Sequence, residues 1–328
     1  MKAFALRRTG EPPAVLDRPV PHPGAGEVLV RTTAALICAW DGHTAAGAPT
    51  GLGHEAVGVV EAVGPGVCPS YVGRRVGVEG HGRLAEFFRA PAAGAGLVPL
   101  PDTISDHQAL YAAGALPTGF AAAEQSGPPP GGSVVVFGQG AVGLSATIAA
   151  GRLRGARVIA VEPEMKRQRL ALRFGADVVI DPAYEDTTER IMELTAGAGA
   201  DRAIMATAAP AAARAARAGL SGSGKITYAR CRPPQSSGAR LARALHLIGD
   251  GLVDPTVITT HEFPFDRVGE AFGRLAAKEP GMIKPVILFP RPAASASGSG
   301  SASASGSASA SGSASASASV SDHKEIRA

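Results

Sequence analysis

Gly138-Gln139-Gly140-Ala141-Val142-Gly143 follows directly on the apolar run Ser133 to Phe137 and opens a segment of helical character, Ala141 to Arg154. A G-x-G-x-x-G between a strand and a helix constrains a chain strongly, because each glycine then has a task. The first permits a tight turn, the second lets the backbone approach a pyrophosphate, and the third allows helix and strand to pack closely, with the phosphates at the helix N-terminus. Contacts to a dinucleotide are therefore expected from Gly138, Gly140, Ala141, Val142 and Gly143. Glu162 ends the next strand, Arg157 to Val161, 24 positions after Gly138. An acid there accepts hydrogen bonds from both adenosine ribose hydroxyls and repels a 2′-phosphate. Lys166 and Arg167 lie close by and leave NADP(H) open beside NAD(H), with NAD the preferred expectation.

Around this turn the chain repeats strand and helix. Lys166 to Phe174, a stretch within Glu185 to Leu194, and Ala211 to Ala218 read as helices, and Val178 to Ile180, Arg202 to Ala206 and Lys225 to Tyr228 as strands. That alternation predicts a doubly wound parallel sheet. Before about residue 115 the pattern is different: Val28 to Thr33, Ala56 to Val63, Arg75 to Val78 and Ala85 to Arg89 are short β-rich runs separated by Gly and Pro, and only Asp106 to Ala113 reads as a helix. A helix near Arg240 to Ile248, a strand Val257 to Phe263, a helix Arg267 to Ala277 and a closing strand Lys284 to Phe289 complete the pattern. The expected fold class is α/β, a β-rich domain plus a doubly wound one.

With 328 residues, the chain is long enough for two domains at roughly 150 residues each. A formal charge of +4 spread along the sequence is too weak a field to argue for nucleic acid. Three cysteines, Cys38, Cys68 and Cys231, without any C-x-x-C, provide neither a disulfide framework nor a four-thiolate zinc knot. A reducing, cytoplasmic setting is expected, as the first residues lack a secretory apolar stretch. Gly and Pro interrupt the uncharged segment Gln125 to Gly151, so no membrane span is expected. From Ala293 to Ser319 only Ala, Ser and Gly occur, too little apolar surface to offset the entropy of ordering, which predicts a disordered tail over 293–328.

Several motifs in order resemble the medium-chain dehydrogenase/reductase family, and within it the zinc-type alcohol dehydrogenases of the secondary-alcohol branch. Gly53-His54-Glu55-Ala56-Val57-Gly58 is similar to that family's zinc signature, and Cys38-Ala39-Trp40-Asp41-Gly42-His43 to the segment with its first cysteine ligand. Pro117-Thr118-Gly119-Phe120 resembles the stretch beneath the nicotinamide, and Ile283-Lys284-Pro285-Val286 the closing strand. The resemblance implies a GroES-like catalytic domain from 1–115 and 251–292 and a Rossmann dinucleotide-binding domain at 116–250. It further implies a small-molecule substrate, a homodimer or homotetramer, catalytic roles for Trp40, His43 and Thr118, and cofactor contacts from Arg167 and Lys284.

The chain departs from the family pattern at three places. Cys38 and His54 match two metal ligands, but the third falls four positions before Thr118, at Gly114, which has no side chain to donate. Glu55 is the alternative donor; the other reading makes Cys38 and His54 relics in a site without zinc. Trp40 stands where the family starts its proton relay with a hydroxyl, and an indole N–H donates but does not relay. Few residues separate Val78 from Ala85, so the lobe that carries a structural zinc or substrate loop in the family is missing. These departures predict a zinc-independent reductase passing hydride to a conjugated carbonyl. By analogy with similar zinc-deficient proteins, it extends to reductive cyclisation of the polycyclic tetramate macrolactam type. A zinc-dependent secondary-alcohol dehydrogenase and a non-catalytic nucleotide-binding sensor are the alternatives.

Overall fold

The computed structural model describes residues 1–8, 11–38, 41, 51–92, 97–229 and 237–290. Trp40, His43, Cys231 and the Ala/Ser/Gly tail lie outside the described residues.

The N-terminal part is built from β1 (Lys2–Ala5), β2 (Ala14–Asp17), β3 (Glu27–Leu36), β4 (Glu55–Val63), β5 (Arg75–Glu79), β6 (Phe87–Pro91) and β7 (Leu97–Pro99). β3 is its spine. It pairs antiparallel with β4, with Leu36 opposite Glu55, and along its first half with β6. Alternating side chains of β3 such as Val28 and Val30 enter a core with Phe4, Val76, Val78 and Phe88, as expected where one face of a pleated strand is buried. Strands β1, β2 and β7 are additions to the sequence reading; at three or four residues each they carry too little periodicity to stand out.

Two helices then lead into the second sheet. α1 (Asp106–Ala112) starts with a capping box in which the Ser105 side chain accepts from Gln108 N while the Gln108 side chain accepts from Ser105 N. Asp106 in its first turn accepts from Thr33 Oγ1 at 2.7 Å and pairs with Arg75 at 2.6 Å, docking α1 on the β-rich sheet. α2 (Ala115–Ser126) follows almost at once and has no counterpart among the helices expected from the sequence, although it carries Pro117 and Gly119. Pro117 falls in the first turn, where no N–H is needed. Gly119 lets the helix lie against its neighbour, since a Cβ there would be 2.4 Å from Ser145 Cβ.

The second sheet is parallel, as expected. Its strands are β8 (Ser133–Phe137), β9 (Arg157–Val161), β10 (Val178–Ile180), β11 (Ala200–Met205) and β12 (Leu220–Tyr228), in the order β10-β9-β8-β11-β12. The intervening helices are α3 (Ala141–Ile148), α4 (Met165–Arg173), α5 (Thr187–Leu194) and α6 (Pro210–Ala218). Val134 and Val136 face one core with Leu116, Phe120 and Leu144, whereas Val135 and Phe137 face another with Ile159 and Met205. Burial of both faces explains why β8 reads as an unbroken apolar run. α3 ends six residues before the expected Arg154 and continues as a π-helical turn, Ala149–Leu153.

The chain then returns to the first sheet through α7 (Ser237–Gly249), β13 (Thr259–Pro264), α8 (Val268–Ala276) and β14 (Lys284–Leu288). β14 pairs antiparallel with β3, with Val286 opposite Leu36. No described helix is long and apolar enough to cross a membrane.

Candidate active site

Strand register assembles the site. Leu36 lies opposite Glu55 on one side of β3 and opposite Val286 on the other, so Cys38, just beyond β3, is brought beside His54 and Lys284. Gly53, at φ +81°, makes the turn into β4, and a Cβ there would be 2.6 Å from Leu84 Cγ.

Among the described residues, four charged or titratable side chains near Cys38 are buried: Asp41 is 2%, His54 6%, Glu55 1% and Lys284 3% exposed. Asp41, which the sequence reading left without a role, accepts from Cys38 N at 2.8 Å with one oxygen and lies 3.0 Å from His54 Nδ1 with the other. It thus fixes the imidazole and turns Nε2 towards Glu55 Oε2, 4.0 Å away. Only its place three residues after Cys38 could have pointed to it. Burial opposes a charged His54, but hydrogen bonds to Asp41 and Cys38 and the charges of Glu55 and Asp41 outweigh it and push the imidazole up to about 11.

Gly114 is the capping residue before α2, which sets it against the Glu55 side chain. A Cβ on Gly114 would lie 2.1 Å from Glu55 Oε1. Glu55 therefore fills the space that a side chain at this position would take. Its Oε1 is buried with no hydrogen-bond partner, while Oε2 accepts from the Lys284 ammonium. Lys284, for which the resemblance implies a cofactor contact, pairs with Glu55, as a buried carboxylate needs a partner.

Donor atoms of Cys38, His54 and Glu55 lie within 4.8 Å of one another. Thiolate, imidazole and carboxylate are suitable zinc donors in kind, and the orphaned Oε1 is the third. Their charge balance is different: the carboxylate is already answered by Lys284, and Gly114 offers nothing. As arranged, the set offers three donors, the third being the Glu55 oxygen that Lys284 does not engage.

At the glycine turn, Gly138 has φ +84° and a Cβ on Gly143 would lie 1.8 Å from Gly138 O. Gly140 has open space around it and caps α3, where Ala141 and Val142 carry first-turn amides that the helix does not use. The Glu162 carboxylate is 4% exposed and directed onto the turn, accepting from Gln139 N at 2.6 Å and Glu164 N at 3.1 Å. Lys166 Nζ donates to Gly281 O at 3.3 Å and Arg167 Nη2 to Met282 O at 3.1 Å. Arg167 is thus tied to the segment before β14. Thr118 Oγ1 donates to Gly114 O at 2.8 Å, so its proton serves the helix. Expectations for Trp40 and His43 fall outside the described residues.

Comparison with known proteins bears on the whole arrangement. Residues 24–102 match the alcohol dehydrogenase GroES-like domain and residues 141–233 the zinc-binding dehydrogenase domain. An alcohol dehydrogenase of Cupriavidus necator is 30% identical over 82% of this chain and 93% of its own length. The chain belongs to the zinc-type alcohol dehydrogenase family of the medium-chain dehydrogenases/reductases. An L-threonine 3-dehydrogenase of Thermococcus kodakarensis is 28% identical, over 88% of this chain and 98% of its own. Among solved structures, an alcohol dehydrogenase from Thermus sp. ATN1 superposes with a TM-score of 0.76 at 24% identity, covering 88% of this chain and all of that one, a likeness of fold. This member of the alcohol dehydrogenase family is an NAD(P)-dependent oxidoreductase of small molecules, with a GroES-like domain and a Rossmann domain.

Proposed function

We propose that this dehydrogenase is an NAD(P)H-dependent reductase that delivers hydride to a conjugated carbonyl compound without a catalytic metal. The observation that carries the reading is Gly114, where the resemblance implies a third metal ligand and where a carboxylate already neutralised by Lys284 takes the space. Conjugation activates the substrate carbon, so positioning it near the nicotinamide supplies much of the rate. Hydride bonds to that carbon, and the electron pair moves to the carbonyl oxygen. The Trp40 N–H and His43 are the proposed donors to the resulting enolate, which is discharged by a proton or, in a reductive cyclisation, by attack of its carbon on a second acceptor.

The same reading assigns NADH over NADPH. Glu162 stands at the ribose end of β9, and Lys166 and Arg167, the nearby cations, are engaged by Gly281 and Met282. A cytoplasmic homodimer or homotetramer, with domain limits at residues 115 and 250, completes it.

A second reading, zinc-dependent oxidoreduction of a secondary alcohol, draws on the Cys38, His54 and Glu55 cluster and on the orphaned Glu55 Oε1. Zinc bound there would polarise a carbonyl as a Lewis acid. Elemental analysis of the purified protein, with a screen of ketones and enones before and after chelation, separates the two. Enone reduction unaffected by chelation supports the first. Stoichiometric zinc, with activity lost on removal and restored on return, establishes the second.

A further inference from the structure

The turn from β5 to β6 is only a few residues long, and it is laced to the strand of chain that enters β4. Gly80 N donates to His54 O at 3.1 Å, Arg83 N to Gly53 O at 3.1 Å and Leu84 N to Leu52 O at 2.9 Å. This lacing draws Arg83 inward until it is 7% exposed. Its guanidinium lies over the Phe88 ring, 4.3 Å from the centroid, and against Gly80, where a Cβ would meet Nη2 at 2.6 Å.

A buried guanidinium is costly unless an anion answers it. Arg83 Nη1 donates to Arg89 O at 2.8 Å, Nε is buried with no hydrogen-bond partner, and no described residue forms an ion pair with Arg83. Burial accordingly pushes its pKa down to about 10. Arg83 lines a cleft with Arg18, Arg89, His81 and the N-terminal residue. The carboxylate in that lining is Glu27, whose Oε2 is shared between Gly24 N at 2.9 Å and Arg89 Nη1 at 3.2 Å. Phe87, Phe88 and Ala85 add an apolar wall. Cys38, His54, Glu55 and the glycine turn take no part in it.

We propose that this cleft is a second binding site, apart from the hydride-transfer site, for a small molecule bearing an oxyanion, with Arg83 as the buried charge that receives it and Arg18 and Arg89 at its mouth. Carboxylate and phosphate share the planar or tetrahedral oxygens that a guanidinium fork recognises.

Isothermal titration of the full chain, saturated with NADH so that the pyrophosphate site is filled and held at constant ionic strength, tests this with inorganic phosphate and with succinate as probes. Saturable binding of one or both is expected, and which of them binds identifies the source of the oxyanion. Arg83→Met should weaken it by about tenfold or more, as for loss of a charge-assisted fork. Because that variant removes a buried packing group, the exposed pair Arg18→Gln/Arg89→Gln carries the test independently and should weaken binding by about threefold or more. No saturable binding of either anion, or unchanged affinity in the Arg18→Gln/Arg89→Gln protein, overturns the proposal.

Discussion

Gly114 and Glu55 share one small volume: a methyl group on the glycine would lie 2.1 Å from the glutamate Oε1, and the carboxylate sits there instead. The buried cluster of Asp41, His54, Glu55 and Lys284 is organised around that exchange.

Gly114→Ala should therefore destabilise the protein by about 1–3 kcal/mol, the range for overpacking a filled core. Urea denaturation measures the loss. The double variant Gly114→Ala/Glu55→Ala should lose less than the two single losses together, since the alanine at 114 would then occupy space that Glu55 has left. Strict additivity would show that the two side chains do not compete.

Lys284→Met removes the ammonium from which Glu55 accepts and leaves His54, 4.0 Å away, as its remaining cation, so the loss should reach at most the roughly 3–5 kcal/mol of a broken buried pair. Lys284→Met/Glu55→Leu should recover most of that loss. If Lys284→Met alone denatures at the wild-type urea midpoint, the pair is not what holds Glu55 in place.

The glycine turn predicts two different outcomes from two substitutions. Gly140→Val has room on the protein side, so the melting temperature should change little while NADH affinity falls at least about tenfold as the side chain enters the pyrophosphate space. Gly143→Ala, whose Cβ would be 1.8 Å from Gly138 O, should lose stability even without cofactor. Fluorescence titration with NADH and thermal denaturation distinguish them.

Cofactor choice should follow Glu162. The wild type is expected to show a higher kcat/KM with NADH than with NADPH, and Glu162→Gln should narrow the difference by removing repulsion of the 2′-phosphate. A wild-type preference for NADPH would mean that Lys166 and Arg167 leave Gly281 and Met282 to hold the phosphate.

Local pattern was enough for much of the architecture. The five parallel strands, the glycine turn and Glu162 at the end of β9 are each specified by a short stretch of chain, because period and turn chemistry act between near neighbours. α2 was not expected from the sequence; it accommodates Pro117 in its first turn and Gly119 against Ser145, placements that only the tertiary structure shows.

The candidate site divides along the same line. Cys38, His54 and Glu55, and glycine at position 114 where the family has a ligand, were singled out by the resemblance of short motifs to the family. That Asp41 orients His54, that Lys284 answers Glu55 from 229 positions away, and that Arg83 is buried against Phe88 were decided by tertiary structure alone. Sequence specifies what each side chain can donate or accept; which groups are taken out of water together depends on strand register, and only in that shared burial does a lone charge require a partner.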